Sequence, residues 1–130
     1  METRRPSLSV LFSPGRAILH SMSHVYELRM YSANPGKLDA IVTRFRDHAD
    51  PILPRHDMKC VGSWTSRDND KNLFIYIVEH ESRAAAEKNW EAFRADADWK
   101  SVKAASETDG PLVGSIERYF MDPTAFSALK

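Results

Sequence analysis

Apolar positions recur along the chain at two spacings, which predict strands and helices in a definite order. A spacing of two predicts strands at residues 25–31, 58–66, 73–78 and 115–121. Spacings of three and four predict helices at residues 37–49, 83–97 and 99–106. The order β-α-β-β-α-(α)-β is that of an α+β ferredoxin-like fold, a four-stranded antiparallel sheet with its helices on one face.

Local signals predict where the helices begin and end. Ser82 precedes the second helix and Asp98 the third, and both residue types are favoured as N-caps because their side chains accept the free amides of the first turn. Pro51 and Pro54 are expected to stop the first helix, since proline lacks an amide donor and disfavours helix in the residue before it.

The third strand is apolar on both faces, which indicates that the sheet is covered on both sides. Its alternating positions are Leu73, Ile75 and Ile77 on one face and Phe74, Tyr76 and Val78 on the other. The chain's own helices cover only one face, and an uncovered second face would expose an apolar patch of roughly several hundred Å². We therefore predict a homodimer whose two sheets pack face to face.

The first strand carries Glu27, Arg29 and Tyr31 on one face. In such a dimer these side chains are expected to lie between protein layers rather than in water, where buried charges need partners. Glu117 and Arg118 on the last strand are the expected partners.

Composition narrows the classes of function. Lys plus Arg and Asp plus Glu number 18 each, and no basic patch predicts a nucleic-acid surface. No apolar run approaches the roughly 18 residues of a transmembrane segment. Cys60 is the single cysteine, which favours a reducing, cytoplasmic location and is expected to be a small half-buried residue.

The first 23 residues differ from the rest of the chain. They are rich in Arg, Ser and Pro and have no periodic apolar pattern. We expect a disordered tail, or a mis-assigned start with translation beginning at Met22, followed by one domain at residues 24–130.

Several stretches resemble a known family, in chain order from residue 24 to the end: "YELRMYSANPGKLDAIVTRFRDH", "RHDMKCVGSW", "SRAAAEKNWEAFRADADW", "AASETDGPLV" and "PTAFSALK". They are similar to the NIPSNAP family. The resemblance implies the dimeric α+β barrel fold and little about chemistry. The wider barrel group includes cofactor-free monooxygenases, heme-degrading enzymes and small-molecule isomerases, a link by fold alone.

Candidate site residues follow from aromatic and titratable positions. We predict a cavity bordered by Trp64, Tyr76 and His56, with His56 as a catalytic base and Trp64 and Tyr76 as walls for a small aromatic or organic ligand. Glu27 and Arg29 would supply polarity to substrate binding, or form a structural ion pair. Ordinary core packing is the alternative for the aromatic residues.

No motif points to a cofactor or a metal. The chain lacks a nucleophile elbow, a P-loop, a dinucleotide fingerprint and a clustered set of metal ligands, and His48 and His56 are separated by two prolines. Two hypotheses stay open. The protein binds a small organic molecule, with or without monooxygenase or isomerase activity, or it is a non-catalytic interaction or sensor scaffold.

Overall fold

A computed structural model describes residues 24–68 and 70–130, and the expectations for residues 1–23 lie outside the described residues. The strands are β1 (Val25–Ala33), β2 (Lys59–Thr65), β3 (Leu73–His80) and β4 (Val113–Met121). The α-helices are α1 (Leu38–Arg44), α2 (Asp50–Ile52), α3 (Arg83–Ala95) and α4 (Ala97–Ser106).

The four strands form one antiparallel sheet in the order β2-β3-β1-β4. This is the ferredoxin-like arrangement that the sequence pattern predicts. The helical crossovers join β1 to β2 and β3 to β4, and each passes over one intervening strand, so that β1 and β3 are central. The prediction of the α+β fold class is confirmed.

The helix after β1 continues past both prolines, contrary to the sequence-based expectation. A π-helical turn (Phe45–Ala49) follows α1, and a 3-10 turn (Leu53–His56) follows α2. Pro51 follows the π-helical turn and Pro54 lies in the 3-10 turn, so each missing amide falls where the hydrogen-bond spacing of the helical run changes. Asp57, with a left-handed φ of 58°, ends the run.

The second pair of helices begins at two side-chain caps. The Ser82 hydroxyl accepts the amide of Ala85 at 3.0 Å, as the sequence predicts. Asp96, rather than the expected Asp98, caps α4, because its carboxylate accepts the amides of Asp98 and Trp99. Asp96 is also the single residue between the two helices, so the cap coincides with the bend between them.

The hydrophobic core lies between the sheet and the helices. Phe74, Tyr76 and Val78 of β3 are 0–3% exposed on that face and pack with aromatic residues of the helices. The alternate residues Ile75 and Ile77 face away from the helices and are only half-buried. The sheet therefore has one covered face and one open face.

A β-bulge in β2 changes which face its side chains occupy. The pairing register with β3 shifts between Cys60 and Gly62, so Cys60 faces the helices while Gly62 and Trp64 lie on the open face. A strict alternation would have put all three on one face. The ring of Trp64 lies over Gly62, where a Cβ atom would approach it to 2.5 Å.

Candidate functional site

A buried carboxylate, Glu27, lies on the helix-facing side of β1. Its pairing with Val78 and Phe120 in the neighbouring strands places it there, together with Arg29 and Tyr31. Its side chain is 0% exposed. This face lies between protein layers, as expected, and the layer that covers it is formed by the chain's own helices, since Trp90 of α3 donates to Glu27.

Four side chains donate to the Glu27 carboxylate. Oε1 accepts Nε2 of His80 at 2.8 Å and Nε1 of Trp90 at 2.7 Å. Oε2 accepts Nη1 of Arg29 at 2.8 Å and Nε of Arg118 at 2.7 Å. Both oxygens are therefore fully used, which is the condition under which a buried charge is stable.

The expected partnership with the last strand is half right. Arg118 is paired with Glu27 at the predicted position, since it lies opposite Arg29 in the register. Glu117 lies opposite Met30 and so points to the other face of the sheet. The adjacent positions of a strand alternate between faces, and only one of the two can reach Glu27.

The electrostatics of Glu27 favour the ionised form. Burial alone would raise the pKa of the carboxyl, but the hydrogen bonds from His80 and Trp90 and the charge of Arg29 outweigh it and lower the pKa to about 2. Because this folded-state pKa lies below the ordinary value of 4.5, Glu27 stabilises the fold above about pH 4.5. That contribution is lost as the pH falls toward about 2.

Arg29 connects the carboxylate to two tyrosines. Its Nε donates to the Tyr76 hydroxyl at 2.8 Å, and the hydroxyl oxygens of Tyr31 and Tyr76 are 2.7 Å apart. The guanidinium carbon lies 4.2 Å from the centre of the Trp90 ring, a cation–π distance. Burial raises the pKa of Tyr76, so its phenol stays protonated at neutral pH.

A cleft of about 490 Å³ opens beside this network, between α3 and α4 on one side and β4 on the other. Its aromatic and apolar wall consists of Tyr31, Trp90, Phe93, Trp99, Val113 and Ile116. Arg29 lies at its floor, and Arg44 lies against the Trp99 ring at 5.1 Å. The volume falls within the range of about 300–1,000 Å³ that is usual for small-molecule pockets.

The structure does not bring Trp64, Tyr76 and His56 together. Trp64 pairs with Ile75 on the open face and is 53% exposed, whereas the adjacent β3 residue Tyr76 is buried beneath the helices. Trp64, Tyr76 and His56 therefore share no cavity in the described residues. The bulge in β2, which the sequence-based prediction did not include, places Trp64 on the open face. Tyr76, Glu27 and Arg29 do lie together, and they support the floor of the cleft.

His56 has a partner away from the cleft. Its Nε2 lies 2.8 Å from Oδ2 of Asp96, and its ring packs edge-on against Phe93. This hydrogen bond lowers the pKa of Asp96. His56 thus joins the 3-10 turn to the cap of α4, and the cleft is not lined by it.

Sequence reasoning assigned none of the helical residues that line the cleft to the site, because it favoured ordinary core packing for Trp90 and did not single out the others. Trp90 and Arg94 in α3, and Trp99 and Lys103 in α4, are two pairs in which an aromatic residue is followed four positions later by a cation. Residues four apart share a helix face. The repeated aromatic–cation pair is therefore a signal that can be read from the sequence. The packing that turns both helix faces toward one cleft cannot be read from it.

Cys60 is a half-buried free thiol whose pKa is raised by burial, the opposite of an activated nucleophile. No group of three or more His, Cys, Asp or Glu side chains in residues 24–68 and 70–130 is arranged to hold a metal ion. In the same residues, no helix has the length and apolarity needed to cross a membrane.

Replacing Glu27 by Ala should lower the free energy of unfolding by about 3–5 kcal/mol, because Arg29 would keep a buried charge without its carboxylate. Urea unfolding at neutral pH and fixed protein concentration measures this loss. Glu91→Ala, on the exposed face of α3, is the matched control and should change stability by less than about 0.5 kcal/mol. A Glu27 variant as stable as the control would contradict the structural role of the network.

The comparisons with known proteins agree with the fold. A NIPSNAP family protein of unknown function from Agrobacterium tumefaciens has a similar crystal structure, with a TM-score of 0.72 and 25% identity over 85% of this chain and 97% of that chain. An uncharacterised NIPSNAP-like domain protein from Burkholderia xenovorans has a TM-score of 0.70 and 15% identity, over 82% of this chain and 90% of that chain. A monooxygenase from Streptomyces coelicolor in complex with Nanaomycin D has a TM-score of 0.54 and 14% identity, over 85% of this chain and 96% of that chain.

The family model agrees with the structural similarity. No curated protein matches the chain in sequence. A family model described as NIPSNAP matches residues 26–128, which is most of the chain and includes every strand of the sheet except the first residue of β1. The chain therefore belongs to the NIPSNAP family.

Proposed function

We propose that the protein binds a small, flat organic molecule in the cleft between α3, α4 and β4. The observation that carries the proposal is the cleft itself, about 490 Å³ in volume, with indole walls from Trp90 and Trp99 and a polar floor at Arg29 and Tyr31. Aromatic walls with a few fixed polar groups are the usual composition of small-molecule sites.

The activity that we propose for this cleft, in addition to binding, is that of a cofactor-free monooxygenase or an isomerase. Both reactions need a group that can exchange a proton with the ligand or hold a developing negative charge. Tyr31 and the Arg29 guanidinium at the cleft floor are groups of that kind. The Streptomyces coelicolor neighbour is described as a monooxygenase, but at 14% identity its likeness shows the fold alone.

A non-catalytic scaffold is the second candidate, and one observation favours it. The space directly between Tyr76 and the helices is almost filled, with a remaining void of about 40 Å³. A void of this size holds a few water molecules and is too small for an organic ligand. Ligand binding therefore depends on the cleft between α3, α4 and β4. If no small molecule binds in that cleft, the scaffold is the better interpretation.

A thermal-shift screen of small aromatic molecules tests the binding proposal. We expect at least one compound to raise the melting temperature, because a ligand that binds only the folded state stabilises it. Trp99→Ala should remove that shift, since it deletes one wall of the cleft. Trp64→Ala is the matched control, because it removes the same side chain from the open face and should leave the shift unchanged.

Two outcomes decide between the candidates. Loss of the shift in the Trp99 variant alone supports the cleft. Loss in the Trp64 variant alone, or no hit in a broad screen, contradicts binding in the cleft and favours the scaffold.

We also propose that the protein is a homodimer formed through the open face of the sheet. Ile75 and Ile77 are half-buried there, and Trp64 and Tyr119 are 53% and 55% exposed. Together they form an apolar surface on the side that the helices leave uncovered. Apolar patches of this kind mark protein–protein contacts.

Sedimentation analysis should therefore give a species of about twice the chain mass of 14.8 kDa. Replacing Ile75 and Ile77 together by Asp should shift it to the monomer mass, because charges enter a dry contact. Ala92→Asp with Ala104→Asp, both on exposed helix positions, adds the same charge as a control and should leave the dimer intact. A wild-type chain that sediments as a monomer would contradict the proposal.

A further inference from the structure

The cleft is positively charged in a chain that has no net charge. Lys plus Arg and Asp plus Glu balance at 18 each over the whole sequence. The charged residues that line the cleft are four cations, Arg29, Arg44, Arg94 and Lys103, and one anion, Glu107. The excess of cations is therefore a local property of the cleft, which attracts a ligand with negative charge.

Internal ion pairs do not cancel this excess. Glu107 lies 3.0 Å from Arg44 and 3.1 Å from Lys103, so one carboxylate serves two cations. Glu27, behind the floor, is likewise shared by Arg29 and Arg118. Arg94 is exposed at the rim and forms no ion pair within the described residues. At least two positive charges of the lining thus stay uncompensated.

The hydrogen bond between the hydroxyl groups of Tyr76 and Tyr31 determines which of the two can donate its proton to a ligand. Tyr76 is 1% exposed, and its oxygen accepts from Nε of Arg29 at 2.8 Å. Its own proton needs an acceptor, and the oxygen of Tyr31, 2.7 Å away, is the only one within hydrogen-bond distance in the described residues. Tyr76 therefore donates to Tyr31.

The consequence concerns Tyr31. Its oxygen accepts from Tyr76 and is approached by Nη2 of Arg29 at 3.4 Å, so its own proton has no acceptor among these neighbours. Tyr31 is half-buried and lines the cleft. The relay from Arg29 through Tyr76 leaves the Tyr31 hydroxyl as a donor toward the ligand space.

We infer that the cleft binds a flat organic anion, and that the Tyr31 hydroxyl donates a hydrogen bond to the charged oxygen of that ligand. This inference rests on the proposed function and adds its ligand class, an aromatic or conjugated molecule bearing a carboxylate, phenolate or enolate. The indole rings of Trp90 and Trp99 hold the flat part, and Arg44 and Arg94 add the field that favours the anion. Hydrogen bonds from a donor to a charged oxygen are about twice as strong as neutral ones.

The test compares two probes of the same shape, 2-naphthoate and 2-naphthamide. The first carries a carboxylate at neutral pH and the second a neutral amide. Titration of the full chain, followed by two-dimensional amide NMR up to the solubility limit of each probe, gives both dissociation constants. We expect 2-naphthoate to bind at least about tenfold more tightly, which is the size of effect that one hydrogen bond to a charged group produces.

Tyr31→Phe should remove most of this preference for the anion, because it deletes the donated hydrogen bond and keeps the ring. Tyr119→Phe makes the same change on the open face of the sheet and should keep the preference. The ratio of the two dissociation constants is the quantity compared, so a modest loss of stability in Tyr31→Phe does not affect the result. Arg94→Gln, on the exposed rim of α3, should lower the ratio by a smaller factor.

Each outcome decides the matter. A preference for 2-naphthoate that is lost in Tyr31→Phe and kept in Tyr119→Phe supports the inference. Equal binding of the two probes, abolished for both by Trp99→Ala, overturns the inference and leaves the proposed function standing. A preference that survives Tyr31→Phe overturns the role of Tyr31. Failure of both probes to bind overturns the ligand class, and the broad thermal-shift screen then decides the proposed function separately.

Discussion

Four hydrogen bonds converge on the Glu27 carboxylate, and the arrangement of the site follows from that convergence. The donors come from different elements: His80 from β3, Trp90 from α3, Arg118 from β4 and Arg29 from β1 itself. If α3 moved away from the sheet, the Glu27 carboxylate would lose the hydrogen bond from Trp90. A buried carboxylate with fewer donors raises the free energy of the folded state, so this movement is disfavoured. The carboxylate therefore fixes the distance between the helix layer and three strands.

That fixed distance positions the floor of the cleft. Arg29 is held from one side by Glu27 and from the other by Tyr76, with Trp90 stacked on its guanidinium. A guanidinium held at several points is pre-organised, and little side-chain freedom is lost when a ligand binds beside it. The chain thus uses one buried ion network both to join its layers and to present polar groups in the cleft.

The sequence predicts the architecture well because the architecture depends on local periodicity. The apolar alternation of β3 and the apolar stripe of α3 are both readable without tertiary information, and the partnership of Arg118 with β1 follows from strand order. The β-bulge at Val61 has no comparable signal, since it is a mismatch between two strands rather than a property of one. One inserted position was enough to move Trp64 to the opposite face.

The remainder of the site was hidden for a related reason. His80 and Trp90 reach Glu27 only through the packing of α3 on the sheet, and Trp99 reaches the cleft only through the bend at Asp96. Contacts between residues more than 50 positions apart depend on how the layers settle, and no single segment encodes them.

Carboxyl ¹³C NMR of Glu27 through an acid titration measures whether this buried carboxylate is ionised and held by its four donors. We expect a midpoint near pH 2, or a resonance that stays at its ionised position until the protein unfolds in acid, because the donors lower the pKa below its ordinary value of 4.5. A midpoint at or above that ordinary value in the folded protein would contradict this expectation, since burial would then outweigh the hydrogen bonds.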